Sequence, residues 1–135
     1  GVSVRLWNIY GEVEPESVRS HVISDFVRQA KENGKIRMQT DGMEFRQFTH
    51  VFDACRALHL AMIHQYDKVY DVTSYEWISI KQAADFIASE TGVEVIPGWD
   101  TGKNFQSPYV GRMPGWSADI SLETGLREMI WPKTV

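Results

Sequence analysis

Among the side chains that could do chemistry, Arg46 is the one best shaped to grip an anion. It stands in "GMEFRQFTHVFDACRALHLAM", Gly42 to Met62, where an alternating segment runs straight into an apolar-faced helix. A planar guanidinium fork matches the oxygens of a phosphate or carboxylate better than a lysine ammonium does. The plainer reading stays open beside it: a lone arginine on an apolar strand is often solvated at an edge or paired with a carboxylate. Cys55 and His59, four apart, share a helix face and so could begin a metal or thiol site. No third or fourth ligand follows at metal-like spacing, so a buried cysteine beside a histidine at the polar edge is expected instead. His59 and His64, five apart, splay around the helix, and His21 and His50 stand alone. Glu12, Glu14 and Glu16 read as a solvated acidic loop, not as paired catalytic carboxylates. The chain holds no G-x-G-x-x-G, no P-loop and no G-x-S-x-G, so its own motifs assemble no complete active site.

The elements that must position these groups are legible from pattern. "VSVRLWNI", residues 2 to 9, carries β-branched and aromatic side chains on both alternations and predicts a strand buried on its two faces. The acidic "GEVEPES" is a loop. Val18, Val22, Ile23, Phe26, Val27 and Ala30 then recur at helical spacing until Gly34 closes the helix. "KIRMQT" predicts a short strand, "DGME" a turn, and "FRQFTHV" a second alternating strand carrying Arg46, Phe48 and His50. Asp53 is placed to N-cap the helix after it, whose face of Ala54, Ala57, Leu58, Ala61 and Met62 is apolar and small. "KVYDVTS" is another strand, and Ser79 with Gln82 forms a capping-box signature before "IKQAADFIASETG", which stops at Gly92. "VEVIP" is a last strand, residues 98 to 116 an irregular segment, and a short helix begins near Ser121 or Leu122. The order implies one α/β domain over 1–135, a small mixed sheet with three to four helices.

Composition narrows the partners. The 135 residues are 43% hydrophobic, which fits one globular domain. A formal net charge of -4, with no lysine or arginine run, argues against nucleic acid as a partner. No apolar run approaches the roughly 18 to 20 residues that cross a bilayer, so no membrane partner is expected. The single cysteine excludes an internal disulfide framework, and the opening "GVSVRLWNIYG" carries no signal-like segment, which makes a cytoplasmic setting the expectation.

The succession "RLWNIYG", "GMEFRQFTHVFDACRAL" and "KVYDVTSYEWISIKQAADFIASETG" resembles the C-terminal, substrate-binding part of the NAD-dependent sugar-nucleotide epimerases and dehydratases, the extended short-chain dehydrogenase/reductase family. There the text runs approximately R-x-x-N-V-Y-G-P, G-x-x-x-R-D-F-V-H-V-D-D-V-x-x-A and Y-N-x-G-S/T-G-x-x-x-S-x-x-E-x-A-x-x-I. The resemblance implies that Arg46 contacts the diphosphate of a nucleotide sugar, with Phe48, His50 and Asp53 pinning the strand-to-helix junction. Arg5, Asn8, Tyr10 and Gly11 match the strand leading to the substrate side, and Val22, Ile23 and Phe26 the helix that walls it. Arg112 in "GRMPGW" matches a second phosphate-contacting arginine. Substrate-binding candidates by this resemblance are Arg46, Arg112, Asn8, Val22 and Phe48, with no catalytic, cofactor or metal residue.

The departures are equally specific. Gln47 stands for aspartate, Phe52 for a second aspartate, Glu12 for proline, and Thr73 with Tyr75 for two turn glycines, so Tyr75 and Trp77 could crowd a pocket open in relatives. The C-terminal part fits two registers, one ending the family's S-L-E-E-G-L helix and one matching Asp119 and Trp131 to its D-I-S…G-W-x-P segment; the second also accommodates Arg112. The family's glycine-rich dinucleotide loop is missing, and so is its Y-x-x-x-K pair, because Tyr10, Tyr66, Tyr70, Tyr75 and Tyr109 are followed at that spacing by Glu14, Tyr70, Ser74, Ser79 and Met113. The expectation is a piece that binds a nucleotide sugar but transforms nothing alone, NAD being implied only for the full-length family. A Rossmann-type partner chain would complete it. The rival readings are a non-catalytic diphosphate-binding module and an interaction protein without ligand. An opening strand apolar on both faces also predicts a homo-oligomer.

Overall fold

Parallel pairing between strands distant in sequence organises the chain. The structure, a computed structural model, describes residues 2–12, 21–64, 68–104 and 108–133. Strands Ser3–Leu6 (β1) and Asn8–Tyr10 (β2) come first, then helix Val22–Asn33 (α1), strands Lys35–Arg37 (β3), Phe45–Arg46 (β4) and Phe48–His50 (β5), and helix Val51–His64 (α2). Strands Val69–Val72 (β6) and Ile78–Ser79 (β7), helix Ile80–Thr91 (α3), strand Glu94–Ile96 (β8) and helix Leu122–Ile130 (α4) follow. The pairs β1 with β6, β2 with β5 and β3 with β8 are parallel, and β4 with β7 is antiparallel. Parallel partners need crossovers long enough to hold a helix, and the helices lie between them in sequence. The class is α/β, as the order of elements implies.

Two expected strands are each broken once. "VSVRLWNI" divides at Trp7 and "FRQFTHV" at Gln47, because each half takes a different partner: β1 joins β6 whereas β2 joins β5, and β4 joins β7. The mixed sheet is therefore four two-stranded pieces among the described residues. Nor is the opening strand buried on both faces. Ser3 and Leu6 are exposed, and β6 is the one hydrogen-bonded neighbour of β1 among the described residues. Its apolar content suits the middle of a sheet, and here it forms an edge.

Capping chemistry sets the helix limits. His21 precedes α1, where its Nδ1 accepts from the Ile23 amide at 3.3 Å, and Gly34 ends the helix in the left-handed conformation (φ 69°). Val18, assigned to this helix by spacing, lies outside the described residues. Ser79 and Gln82 close a reciprocal capping box at the start of α3, and Ser121 accepts from the Thr124 amide to start α4. Asp53 does not cap α2. That helix starts two residues earlier, at Val51, and His50 Nδ1 accepts from the Phe52 amide at 3.1 Å. Asp53 is instead buried in the first turn, its carboxylate accepting from the Ile120 amide at 2.9 Å and from Arg56 at 3.0 Å.

Two cores result. One packs α1, α3 and α4 around Tyr10, Ile36 and Phe48, with Ile23, Ile87 and Ile130 wholly buried; each such side chain stabilises by about 1.5–3 kcal/mol. The other lies under α2, where Ala54, Ala57 and Ala61 admit close approach of Val72, Met113 and Trp116. No helix among the described residues is long and apolar enough to cross a membrane.

Candidate functional site

The breaks at Trp7 and Gln47 open a cavity. It has a volume of about 410 Å³ and is lined by Arg5, Leu6, Trp7 and Asn8 from the first break and by Arg46, Gln47 and Trp77. Arg46 reaches it because β4 runs antiparallel to β7, which sets Arg46 opposite Ile78 and beside Trp77. Its Nη1 donates to the carbonyls of Phe45 at 2.8 Å and Lys103 at 3.3 Å. Asn8 enters at the head of β2, opposite Phe48 of β5. The lining residues carry two guanidinium groups and two amides but no carboxylate, and Arg46 offers an anion charge-assisted donors while Arg5 is paired with Asp71.

The wall behind Arg5 is fixed by a buried acid. Asp71, fully buried in β6, has Oδ1 3.0 Å from both the Trp7 Nε1 donor and Arg5 Nε, while its Oδ2 accepts from the Val110 and Gly111 amides. Burial opposes its ionisation, but the Trp7 indole, those two amides and the Arg5 charge together hold its carboxyl below the usual carboxylate range. Trp7 is thereby pinned. Tyr109 stacks on it at 5.2 Å and 27°, and Trp77 meets it edge to face at 5.9 Å and 71°.

Two of the departures from the family pattern, Gln47 and Thr73, touch each other. Thr73 Oγ1 donates to Gln47 Oε1 at 2.7 Å, and Gln47 Nε2 donates to the Tyr109 hydroxyl. Tyr75 keeps a left-handed backbone (φ 61°) without being glycine, a conformation that costs roughly 1–2 kcal/mol for an L-residue. Its hydroxyl donates to the Asp71 carbonyl at 2.8 Å, and Arg112 lies 4.0 Å over its ring. Burial, then the Asp71 charge, push the Tyr75 hydroxyl above its ordinary value. The turn is filled by Tyr75, and Trp77 forms part of the cavity wall.

Of the sequence candidates, Arg46 and Asn8 meet at the cavity. Phe48 does not; it is buried in the larger core with its ring against Tyr10 and His21. Val22 is half-buried against that same core. Arg112 pairs with Tyr75, and its backbone bridges Asp71. Asp119 pairs with Arg56 at 3.0 Å and Trp131 is exposed. Cys55 is exposed, not buried as expected, since its side of α2 faces away from the small-residue stripe. No group of His, Cys, Asp or Glu among the described residues could hold a metal ion. Trp7 and Tyr109 stand at no specified motif position, and Asp71 is marked only as an acid inside the apolar strand "VYDV". A wider depression of about 580 Å³ collects Arg28, Lys31, Glu32 and Glu128, whose charges offset one another.

The two direct strand-to-helix junctions lack the glycine turn that cradles a dinucleotide. A pyrophosphate is cradled where a strand enters a helix through a glycine-rich turn, and the direct junctions His50–Val51 and Ser79–Ile80 contain no glycine.

The fold is shared with solved enzymes. The UDP-glucose 4-epimerase of Thermotoga maritima, solved with UDP-glucose, is 22% identical with a TM-score of 0.75, over 96% of this chain and 44% of that one. A UDP-N-acetylglucosamine 4-epimerase from Methanobrevibacter ruminantium M1, solved with UDP-N-acetylmuramic acid, is 20% identical at TM-score 0.80, over 96% and 44%. An epimerase from Methanothermobacter thermautotrophicus is 20% identical at TM-score 0.81, over 94% and 41%. The chain thus spans less than half the length of these structures, and at this identity the likeness shows the fold. No curated protein matches the sequence. The sequence profile described as the NAD dependent epimerase/dehydratase family matches residues 1–73, more than half of the chain. By that match, and in the fold of such enzymes, the chain belongs to the NAD dependent epimerase/dehydratase family.

Proposed function

We propose that this chain is the nucleotide-sugar-binding portion of an NAD-dependent epimerase or dehydratase, with Arg46 and Asn8 holding the diphosphate, and that it is not catalytically complete by itself. The observation that carries this reading is the meeting of Arg46 and Asn8, far apart in sequence, on one cavity whose walls bear no carboxylate. Arg46 supplies charge-assisted donors, and Asn8 supplies an amide that orients the same group. NAD supplies hydride chemistry when bound, and a dinucleotide-binding part, in the same polypeptide or a partner, would hold it together with the acid/base pair.

Titration calorimetry with UDP-glucose and a GDP-sugar tests the reading. Wild type should bind at least one of them, and Arg46→Ala should weaken that binding at least tenfold, since a hydrogen bond to a charged group contributes about 1.5–3 kcal/mol. Equal heats for both proteins would remove Arg46 from the role. A second reading, a non-catalytic diphosphate-binding module, draws support from the turn at Thr73 to Trp77, filled where relatives carry glycines. Turnover on adding a dinucleotide-binding partner separates the two: the enzyme reading requires it.

A further inference from the structure

Trp77 has an exposed indole in the cavity wall, one residue from the rung that carries Arg46, and its surroundings define what can lie on it. We propose that Trp77 is the platform for the sugar ring of the ligand, so that this residue sets specificity for the glycosyl half while Arg46 holds the phosphate. The inference rests on the reading that the cavity takes a nucleotide sugar.

Three features favour a sugar over a nucleobase on this indole. A flat base is held by stacking in a slot between parallel faces or on a face with donors and acceptors at its edge. Here Trp7 and Trp77 stand at 71° with centroids 5.9 Å apart, a corner with no parallel slot between them. One face of Trp7 is already taken by Tyr109, and its Nε1 is spent on Asp71, so Trp7 offers an apolar flank and no hydrogen bond. A pyranose is thick, with C–H groups on its faces and hydroxyls round its rim. It can lay a face on Trp77 and a flank on Trp7 while its rim hydroxyls stay in the water of the open cavity. Connectivity agrees, because the sugar of a nucleoside diphosphate sugar is bonded directly to the terminal phosphate. With that terminal phosphate on Arg46, the ring, and not the base, lies next to Trp77.

The test compares UDP-glucose with UDP on wild type, Trp77→Ala and Trp77→Phe by calorimetry. Because Trp77 is 46% exposed, neither substitution should unfold the chain, and thermal melting checks this. Trp77→Ala should weaken UDP-glucose about tenfold and change UDP less than twofold, with Trp77→Phe restoring most of the difference. An equal loss for UDP and UDP-glucose would overturn the inference by placing the base on the indole. An unchanged affinity for UDP-glucose would also overturn it and leave the diphosphate reading intact. Absence of binding to wild type by either ligand would reject both together.

Discussion

Asp71 sits fully buried in β6 with both carboxylate oxygens engaged, by Trp7 and Arg5 on one and by the Val110 and Gly111 amides on the other. Such an acid anchors the cavity wall because each partner is a donor, which only the ionised form satisfies in full. Its folded value lies below the 3.8 of an unperturbed group. A depressed value means that the contribution to stability is fully present above about pH 4 and is lost as pH falls from there through the lower folded value. Asp71→Asn should therefore lose stability at neutral pH, by about 1–3 kcal/mol, because an amide NH2 would face donors and Arg5 would lose its charge partner. The same variant should lose less than wild type between pH 5 and pH 3. Urea midpoints at pH 7, 5 and 3 read both effects, and parallel acid profiles for the two proteins would contradict the assignment. Arg46 was marked in the sequence by its motif, whereas Asp71, Trp7 and Tyr109 act through contacts with residues 39 to 102 positions away, which no local pattern announces.

The elements divide along the same line. Gly34, Gly92, Ser79 with Gln82, and Ser121 all cap helices where the sequence places them, because capping is settled within a few residues. The breaks at Trp7 and Gln47 were not legible, since alternation continues through both and the partner strands that force the change lie elsewhere in the chain. Those breaks make the cavity, so its two polar candidates could be named while its aromatic corner could not. Two substitutions test the elements. Ser79→Ala should cost about 1 kcal/mol, removing the oxygen that accepts from the Gln82 amide at 3.0 Å, and denaturant unfolding should show it. Gly125→Ala inverts the usual helix rule. Alanine ordinarily gains about 1 kcal/mol over glycine inside a helix, but a Cβ here would collide with the Tyr10 hydroxyl and come within 2.7 Å of its Cε2. Tyr10 is buried and cannot swing away freely. The variant should lose about 1–3 kcal/mol, and a raised melting temperature would show that α4 does not seat closely on Tyr10.

At the scale of the molecule, the apolar surface is unevenly finished. The edge formed by β1 leaves Leu6 exposed and the far end of β6, opposite Ser3, leaves Val69 exposed, while Phe52 and Met62 of α2 are 66% and 75% exposed. An edge strand with free backbone groups and apolar side chains is a template for pairing, and chains that keep such an edge monomeric usually break it with charge, proline or a bulge. β1 has none of these devices along "SVRL" except Arg5, whose guanidinium turns to Asp71 and the Pro108 carbonyl. Two outcomes would cover this surface: a second copy, or the dinucleotide-binding part that the proposed function requires. For the 135-residue chain in solution without that part, the expected state is a homodimer or larger assembly, with a scattering mass of at least twice 15.5 kDa at micromolar concentration. Leu6→Lys places a charge on the open edge and should shift the assembly toward monomer without lowering its helix content. A monomeric mass for the wild-type chain would refute self-association. An assembly that Leu6→Lys leaves intact would move the contact away from β1, with the exposed face of α2 the next place to substitute.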